Sequence, residues 1–237
     1  MLAPADLRGI LQFDTCTIAN AIEKMGVRLR NQGFTRPGLR PMTGCFPRSL
    51  GYAATCKVRS ADPPMSGRSY VERTDWWGDI ERLPAPRIAV IQDLDAESNP
   101  GSCVGEVHAA ILKAFGCTGV VTDGLVRDLP GVRKLRLPMF ARGVSVSHSY
   151  AHMVGFGCAV EIFGLEIQSG DLLYADCHGA ISIPPGIARD LHRIASQIHE
   201  KERRIVEVCQ SADFSSKALL EAIGSDAGSA RGNRGET

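Results

Sequence analysis

The stretch Gly105–Asp128, GEVHAAILKAFGCTGVVTDGLVRD, contains two groups of residues that could bind a small organic acid. Its first residues open a predicted helix, and the unpaired amides at a helix N-terminus attract a carboxylate or a phosphate. Its last two, Arg127 and Asp128, put a guanidinium beside a carboxylate. Arginine can clamp a carboxylate or an enolate oxygen with two parallel hydrogen bonds, and aspartate can hold a hard divalent cation.

The same residues also have an ordinary structural interpretation. A solvated turn would account for Arg127 and Asp128, with Asp128 capping a helix, and many helices begin near a glycine. The chain has no GxGxxG and no GxxxxGK[ST] pattern, so a dinucleotide or P-loop nucleotide site is not supported. Composition and spacing alone do not decide between a ligand-binding site and a structural turn.

The elements around this stretch are predicted to bring both groups to one edge of a parallel sheet. Residues 87–95 are an apolar, β-branched run typical of a buried strand, and Gly119–Thr122 is the next such run. Between them a helix is predicted, and its inward face is expected to consist of Val107, Ala110, Ile111, Ala114 and Phe115. The strands of such a βαβ unit are parallel, and ligands bind beyond their carboxyl ends. We therefore expect Gly105 to lie near Arg127 and Asp128.

The remaining sequence predicts a single α/β domain with helices at both ends. Helices are expected at 4–25, 70–82, 187–210 and 216–223, and strands at 52–59, 139–141, 159–162, 165–167, 172–175 and 180–183. Residues 31–51 and 98–103 are expected to be loops, and arginines in the first loop could meet an anionic substrate or a neighbouring subunit. The domain is expected to cover residues 1–223, with a disordered Gly/Ser-rich tail at 224–237.

Composition argues against several classes of function. The formal net charge of +1 gives no electrostatic basis for binding nucleic acid or a membrane surface. The apolar runs are too short to span a bilayer, and the first residues lack the features of a secretory signal. The eight cysteines contain no CxxC pair, so we interpret them as reduced and mostly buried thiols of a cytoplasmic protein.

The central stretch resembles the signature of the class II pyruvate aldolases of the 4-hydroxy-4-methyl-2-oxoglutarate/4-carboxy-4-hydroxy-2-oxoadipate aldolase family. That family also contains the non-enzymatic regulator of ribonuclease activity A. FARG at 140–143, GDLLYADCHGAISIP at 170–184 and KER at 201–203 also look like family segments, so the resemblance covers roughly residues 8–210. It implies a swivelling β/β/α-type domain with a central βαβ unit, assembled as a homotrimer or homohexamer with active sites between subunits.

Carried over position by position, the resemblance implies a role for each part of the stretch. The pyruvyl carboxylate would be held by backbone amides at the helix start, those of Gly105, Glu106, Val107 and His108. Arg127 would bind the 2-oxo acid and stabilise its enolate, and Asp128 would hold Mg²⁺ or Mn²⁺. Glu106 and Asp123 would lie near the metal-bound waters and assist catalysis. The implied reaction cleaves a 4-hydroxy-2-oxo acid to pyruvate, with oxaloacetate decarboxylation as a side reaction through the same enolate.

The sequence departs from these aldolases in the loop 144–156, VSVSHSYAHMVGF, where they are rich in Gly and Pro. His148 and His152 could be substrate-distal or proton donors, or ordinary loop residues; the Gly/Ser/Val context does not favour a helical metal-binding pair. His178, in a predicted turn, and Glu202, which could reach a neighbouring subunit's site, also stay open. The alternative function is that of a non-catalytic protein-binding regulator, but the ribonuclease regulator lacks the acidic ligand that is Asp128 here.

Overall fold

The computed structural model describes residues 2–44, 47–65, 71–97 and 101–224. Within these ranges the helices are α1 (Pro4–Ile10), α2 (Thr15–Met25), α3 (Val71–Arg82), α4 (Glu106–Ala114), α5 (Leu129–Leu135), α6 (Ala188–Gln210) and α7 (Ser216–Gly224), with a 3₁₀ turn at Pro185–Ile187. The strands are β1 (Arg40–Pro41), β2 (Ser49–Arg59), β3 (Arg87–Asp93), β4 (Ser102–Val104), β5 (Cys117–Thr122), β6 (Leu125–Val126), β7 (Met139–Ala141), β8 (Gly143–Val144), β9 (His152–Phe156), β10 (Val160–Ile162), β11 (Leu165–Ile167), β12 (Leu172–Asp176) and β13 (Gly179–Ile183).

A large mixed sheet forms the centre of the fold. Its strand order is β1-β7-β5-β3-β2-β12-β13, and β9 also pairs with β2. The strands β2, β3, β5 and β7 are parallel to one another, and α4 makes the crossover from β3 to β5. The predicted α/β fold with a central βαβ unit and helices at both ends is therefore confirmed.

A second, small parallel sheet of order β4-β6-β8 continues the strands of the large one. Each of its strands comes shortly after a parallel strand of the large sheet: β4 after β3, β6 after β5, and β8 after β7. The sequence predicted a loop at 98–103 and missed all three of these strands. Strands of two or three residues are too short to show an alternating pattern, so their pairing partners alone define them.

Helix α4 packs through a different face from the predicted one. Its buried residues are His108, Ala109 and Leu112, whereas Val107 is 75% exposed and Ala114 is also exposed. Apolar residues occupy most positions of this helix, so its sequence is compatible with more than one buried face. The observed register puts Ala109 and Leu112 in the same core as Trp76 of α3 and Val132 of α5.

The N-terminal region forms two helices where one was predicted over 4–25. Helix α1 ends at Ile10, and a new helix begins directly after Asp14. The Oδ1 atom of Asp14 accepts a hydrogen bond from the Thr17 amide at 2.7 Å. Gly26 ends α2 with a left-handed φ of 66°, a conformation that glycine adopts without strain. α1 and α2 pack with α6 on β12 and β13.

The described cysteines are all free, but only Cys56, Cys103 and Cys117 are buried, fewer than expected. Cys45 lies outside the described residues, as does the predicted tail beyond Gly224, the last residue of α7. Across the described part of the chain, no helix is both long enough and apolar enough to cross a bilayer.

Candidate active site

The start of α4 and the chain after β6 are in direct contact. Gly105 is the residue before α4, and the Glu106 amide donates a hydrogen bond to Asp128 Oδ2 at 3.2 Å. A Cβ atom on residue 105 would lie 2.4 Å from that oxygen and 3.1 Å from Arg127 Nε. Real Cβ contacts are never this short, so only glycine allows the two segments to approach this closely.

Parallel pairing of β4 with β6 produces this contact. Val104 is the partner of Val126, and the Arg127 amide donates to the Val104 carbonyl at 2.9 Å. Both strands therefore end at the same level, with Gly105 following one and Arg127 following the other. The predicted proximity of Gly105 to Arg127 and Asp128 is thus present, through the small sheet as well as the βαβ unit.

Asp128 has an unusual backbone conformation. Its φ of 58° and ψ of 33° are left-handed, a region that non-glycine residues enter uncommonly and often at functional sites. It precedes α5, but its side chain makes no capping hydrogen bond to that helix. The carboxylate instead contacts the Glu106 amide and lies with Oδ2 3.5 Å from Arg127 Nε. Asp128 therefore occupies the cap position before the helix, but its side chain does not cap the helix.

These residues line a cavity of about 370 Å³, large enough for a small organic acid. Its walls come from α3, β4, α4, the chain after β6 and the loop before β9, and consist of Trp77, Ser102, Cys103, Gly105, Val107, His108, Ile111, Arg127, Asp128, His148 and Ala151. Four of the five residues expected to bind substrate therefore line one cavity. The residue expected to bind metal lines it as well.

Two residues that line the cavity each have a buried polar atom with no hydrogen-bond partner within the described part of the chain, Ser102 Oγ and Trp77 Nε1. Ser102 is only 2% exposed, and a buried polar atom without a partner costs free energy unless a ligand or water satisfies it. Neither residue was predicted to belong to a site. Ser102 belongs to one of the very short strands, and Trp77 had only its place on a predicted helix to mark it.

His148 reaches the cavity because β8 is the third strand of the small sheet. The chain after β8 stays beside its neighbours, since Ser145 donates its amide to the Val126 carbonyl at 3.0 Å and Ser102 donates to the Ser147 carbonyl at 2.8 Å. His148 Nδ1 lies 2.7 Å from the Ser149 carbonyl oxygen. A carbonyl oxygen only accepts, so Nδ1 carries the proton and Nε2 of the neutral ring is a proton acceptor.

The side chains of Glu106 and Asp123 are not among the residues that line the cavity. The Glu106 carboxylate lies against Gly131 of α5, where an added Cβ would be 2.1 Å from it. Asp123 follows β5, and its Oδ1 accepts the Asp93 amide at 2.7 Å. Burial, reinforced by the charge of Asp93, raises the pKa of Asp123 to about 7.

The other residues left open by the sequence are not among those that line the cavity. His152 begins β9 and pairs with Arg59, so it does not form a helical pair with His148. Glu202 accepts a hydrogen bond from Asn20 of α2 at 3.3 Å. His178 lies in the β12–β13 turn, near the amino end of β2 and therefore at the opposite edge of the sheet from the cavity.

Potential metal ligands occur in two places. Asp128 is the carboxylate that lines the cavity, and its side chain is 43% exposed. The second place is the β12–β13 turn, where the ligand atoms of Asp176, Cys177 and His178 lie within 4.8 Å of one another. Among the described residues, this turn is the one cluster of three or more such side chains.

Comparison with protein families places most of the chain in one group. Residues 15–182 match the RraA-like family, described as Aldolase/RraA. This match includes the small sheet and all the cavity residues, and it ends within β13.

Individual relatives match shorter segments. The uncharacterised protein MJ0644 of Methanocaldococcus jannaschii is 33% identical over 96 residues, which cover 40% of this chain and 46% of that protein. A protein of Halalkalibacterium halodurans named "Putative 4-hydroxy-4-methyl-2-oxoglutarate aldolase" is 31% identical over 83 residues, covering 35% of this chain and 40% of that protein. The chain thus spans less than half the length of these curated relatives.

Among solved structures, Streptomyces coelicolor RraAS2 is similar to this chain over most of its length. It is described as an unusual member of the RNase ES inhibitor RraA protein family. The TM-score is 0.67 at 21% identity, with 85% of this chain and 96% of that chain covered. At this identity the similarity shows a shared fold.

Proposed function

The chain belongs to the RraA-like family, which includes both aldolases and non-catalytic RraA regulators, and on that premise we propose that it is a divalent-metal-dependent carbon–carbon lyase. Its proposed substrates are 4-hydroxy-2-oxo acids of the 4-hydroxy-4-methyl-2-oxoglutarate or 4-carboxy-4-hydroxy-2-oxoadipate type, and its product is pyruvate. The observation that carries the proposal is the meeting of Arg127, Asp128 and the start of α4 around one cavity.

The pyruvyl end of the substrate binds between α4 and Arg127. The first-turn amides of a helix have no intrahelical partners, and the helix dipole adds positive potential there. The Glu106 amide already donates to Asp128, so the amides of Val107 and His108 are the ones that receive the substrate carboxylate.

The donor set fits Mg²⁺ or Mn²⁺. Magnesium keeps several of its waters and needs only one or two protein carboxylates together with substrate oxygens. Asp128 would hold the ion through one partly exposed carboxylate at the cavity, together with water and substrate oxygens. When bound there, the ion supplies Lewis-acid polarisation of the keto group.

Bond cleavage requires a proton acceptor and a group that stabilises the enolate. We assign the first role to His148, whose Nε2 takes the C4 hydroxyl proton as the C3–C4 bond breaks. Arg127 stabilises the negative charge that develops on the enolate oxygen. The C4 fragment leaves as a carbonyl compound, and protonation of the enolate at C3 gives pyruvate. Oxaloacetate yields the same enolate on losing CO₂, so its decarboxylation is the proposed side activity.

The proposal includes a homotrimer or homohexamer in the cytoplasm, with the cavity completed at a subunit contact. Exposed apolar residues near its mouth support this part of the proposal. Val107 and Ile111 line it from α4, and Val107 is 75% exposed.

Pyruvate release from oxaloacetate tests the reaction class. We expect turnover with Mg²⁺ or Mn²⁺, loss of turnover with EDTA, and loss in Asp128→Ala because its metal ligand is removed. Asp190→Ala, which removes a carboxylate on the exposed side of α6, is the matched control and should keep full activity. Turnover that resists both EDTA and Asp128→Ala would contradict the proposal.

A comparison of two reactions tests His148. Aldol cleavage needs the C4 hydroxyl proton to be removed, whereas decarboxylation of oxaloacetate does not. His148→Gln should therefore lower kcat for a 4-hydroxy-2-oxo acid by roughly 100-fold or more and leave decarboxylation nearly unchanged. Equal losses in both reactions would remove His148 from this role.

If neither oxaloacetate nor any 4-hydroxy-2-oxo acid is turned over with Mg²⁺ or Mn²⁺, the non-catalytic regulator becomes the better description. The RNase ES inhibitor description of the Streptomyces coelicolor relative makes inhibition of a ribonuclease the activity to measure next.

A further inference from the structure

Arg142 is the single residue between β7 and β8, where the chain passes from the large sheet to the small one. The chain makes two other passages of this kind. Asp123 and Gly124 connect β5 to β6, and Glu97 belongs to the connection from β3 to β4. The position of the small sheet relative to the large one therefore depends on how these three connections are held together.

Arg142 contacts both of the other connections. Its amide donates a hydrogen bond to the Gly124 carbonyl at 3.1 Å, and its side-chain Nε donates to the Asp123 carbonyl at 2.8 Å. Its two terminal guanidinium nitrogens each lie 3.5 Å from Glu97 Oε1. Hydrogen bonds from a charged donor are stronger than neutral ones, and an ion pair to a side chain that is 89% exposed contributes little. The bond to Asp123 is therefore the main attachment of the side chain.

The guanidinium also lies against the ring of Phe163, in the turn between β10 and β11. Arg142 Cζ is 5.2 Å from the centre of that ring, within the range of a cation–π interaction. Phe163 is held in turn by the chain before β1, because the Arg36 amide donates to its carbonyl at 2.8 Å and a Cβ on Gly38 would lie 2.4 Å from its ring. The orientation of the guanidinium is therefore set by the Asp123 carbonyl and by this ring.

Two carboxylates at the ends of β3 and β5 lie close to this guanidinium. Burial raises the pKa of Asp93 and raises that of Asp123 to about 7, and the positive charge of Arg142 acts against this shift in both groups. The two segments are already joined, since Asp123 Oδ1 accepts the Asp93 amide at 2.7 Å. Arg142 thus supplies a compensating charge as well as hydrogen bonds where the large sheet ends.

We propose that Arg142 is a positioning residue, which fixes the small sheet on the large one and so sets the distances between Gly105, Arg127 and His148. These three residues follow β4, β6 and β8, the strands that the three connections lead into. Arg142 itself is not among the residues that line the cavity, so it acts through them. The catalytic part of this inference rests on the proposed lyase function, whereas the attachment of the small sheet does not.

Hydrogen exchange of the full chain, followed by mass spectrometry, tests the attachment without any measurement of activity. The amides of Ser102, Arg127 and Ser145 bond between the short strands and their extensions, so peptides that contain them report on the small sheet. In Arg142→Gln we expect these peptides to exchange roughly 10-fold faster or more, because a charged hydrogen bond is lost and local opening becomes easier. Peptides from β2 and β3 should exchange as in the parent protein.

Two further variants make the result specific. Arg193→Gln removes an exposed guanidinium on α6 that pairs with Asp190 at 3.2 Å, and it should leave the exchange of every peptide unchanged. Arg142→Lys keeps the charge but loses the planar guanidinium, so it should speed the exchange of the same peptides to a smaller extent. Unchanged exchange of the small sheet in both Arg142 variants, or equal acceleration of all peptides, would overturn the proposal.

Steady-state kinetics of pyruvate release from oxaloacetate test the catalytic part. Arg142→Gln should lower kcat roughly 10- to 100-fold and change KM by less than about threefold, because displaced reacting groups slow the chemical step more than they weaken binding. Arg193→Gln should change neither constant. An unchanged kcat in Arg142→Gln, or a rise in KM alone, would remove Arg142 from this role. A parent protein that releases no pyruvate would contradict the proposed function, and the exchange result would still decide the attachment.

Discussion

Residue 105 has room for a hydrogen atom but not for a methyl group. Because a Cβ there would lie 2.4 Å from Asp128 Oδ2, Gly105→Ala must push the carboxylate away from the start of α4. The variant keeps every charged group of the proposed site and changes only the spacing between them. It therefore separates the geometry of the site from its composition.

We predict that Gly105→Ala lowers pyruvate release from oxaloacetate by roughly 100-fold, the scale expected when a reacting group is displaced by about 1 Å. Gly186→Ala is the matched control, because an added Cβ at Gly186 meets nothing within 4 Å, and it should keep full activity. Steady-state kinetics and a thermal melt of both variants check this. Full activity in folded Gly105→Ala would mean that the position of Asp128 does not matter.

Asp123 gives the protein a specific dependence of stability on pH. Loss of hydration, reinforced by Asp93, raises its pKa from 3.8 to about 7 in the folded protein. Between these two values the folded state binds more protons than the unfolded chain, so the free energy of unfolding falls as the pH rises from about 4 to about 7. Above that range this contribution no longer changes.

We predict that Asp123→Asn flattens this dependence, since asparagine keeps an oxygen to accept the Asp93 amide and has no proton to release. Urea unfolding at several pH values from about 4 to about 8 measures the effect. The exposed Asp190→Asn on α6 should leave the slope as it is in the parent. An unchanged slope in Asp123→Asn would show that other groups dominate over this range.

Helix α4 shows how far the sequence predicts the elements. Its position, its start at Gly105 and its place between two parallel strands follow from the apolar pattern, and so does the proximity of Gly105 to Arg127. Its inward face does not, because the run from Val107 to Leu112 is apolar on several sides. Neighbouring helices decide which side is buried, and they are distant in sequence.

The same reason explains why Ser102 was missed and why the role of His148 stayed open. Ser102 and His148 reach it through β4 and β8, strands of three and two residues that show no period of their own. Their existence depends on pairing across about 20 residues of chain. The residues predicted to bind ligands were those whose chemistry is visible locally, namely the helix start, the guanidinium and the carboxylate.

We predict that Leu112→Ala destabilises the protein by about 2–5 kcal/mol, because Leu112 is completely buried. Val107→Ala, in the same helix but 75% exposed, should change the free energy of unfolding by less than about 0.5 kcal/mol. Urea unfolding of both variants checks the observed face of α4. The reverse order of effects would support the face predicted from the sequence.

At the scale of the whole molecule, exposed apolar side chains occur on the segments around the cavity. Val144 and Tyr150 are 57% and 53% exposed, and Val146 is 96% exposed. Apolar groups that cluster on a surface mark a contact with another molecule. The proposed oligomer gives these residues a partner and brings a neighbouring subunit to the cavity.

We predict that Val146→Asp shifts the protein from trimer or hexamer toward monomer, because a charge would then have to be buried in the subunit contact. Leu29→Asp, at an exposed apolar residue of the segment after α2, is the control and should keep the assembly. Sedimentation velocity distinguishes these states. An unchanged trimer in Val146→Asp would exclude this surface as the contact.

The small sheet of β4, β6 and β8 also has a consequence for how the proposed activity would be lost. Its strands have only two or three residues each, yet they hold Gly105, Arg127 and His148 together, whereas β2, β3 and β5 of the large sheet have 11, 7 and 6 residues. Proteins open locally at a lower free energy than the one needed to unfold the whole domain. We therefore expect inactivation at denaturant concentrations below those that unfold the domain, so catalytic activity reports on the small sheet and far-ultraviolet circular dichroism on the large one.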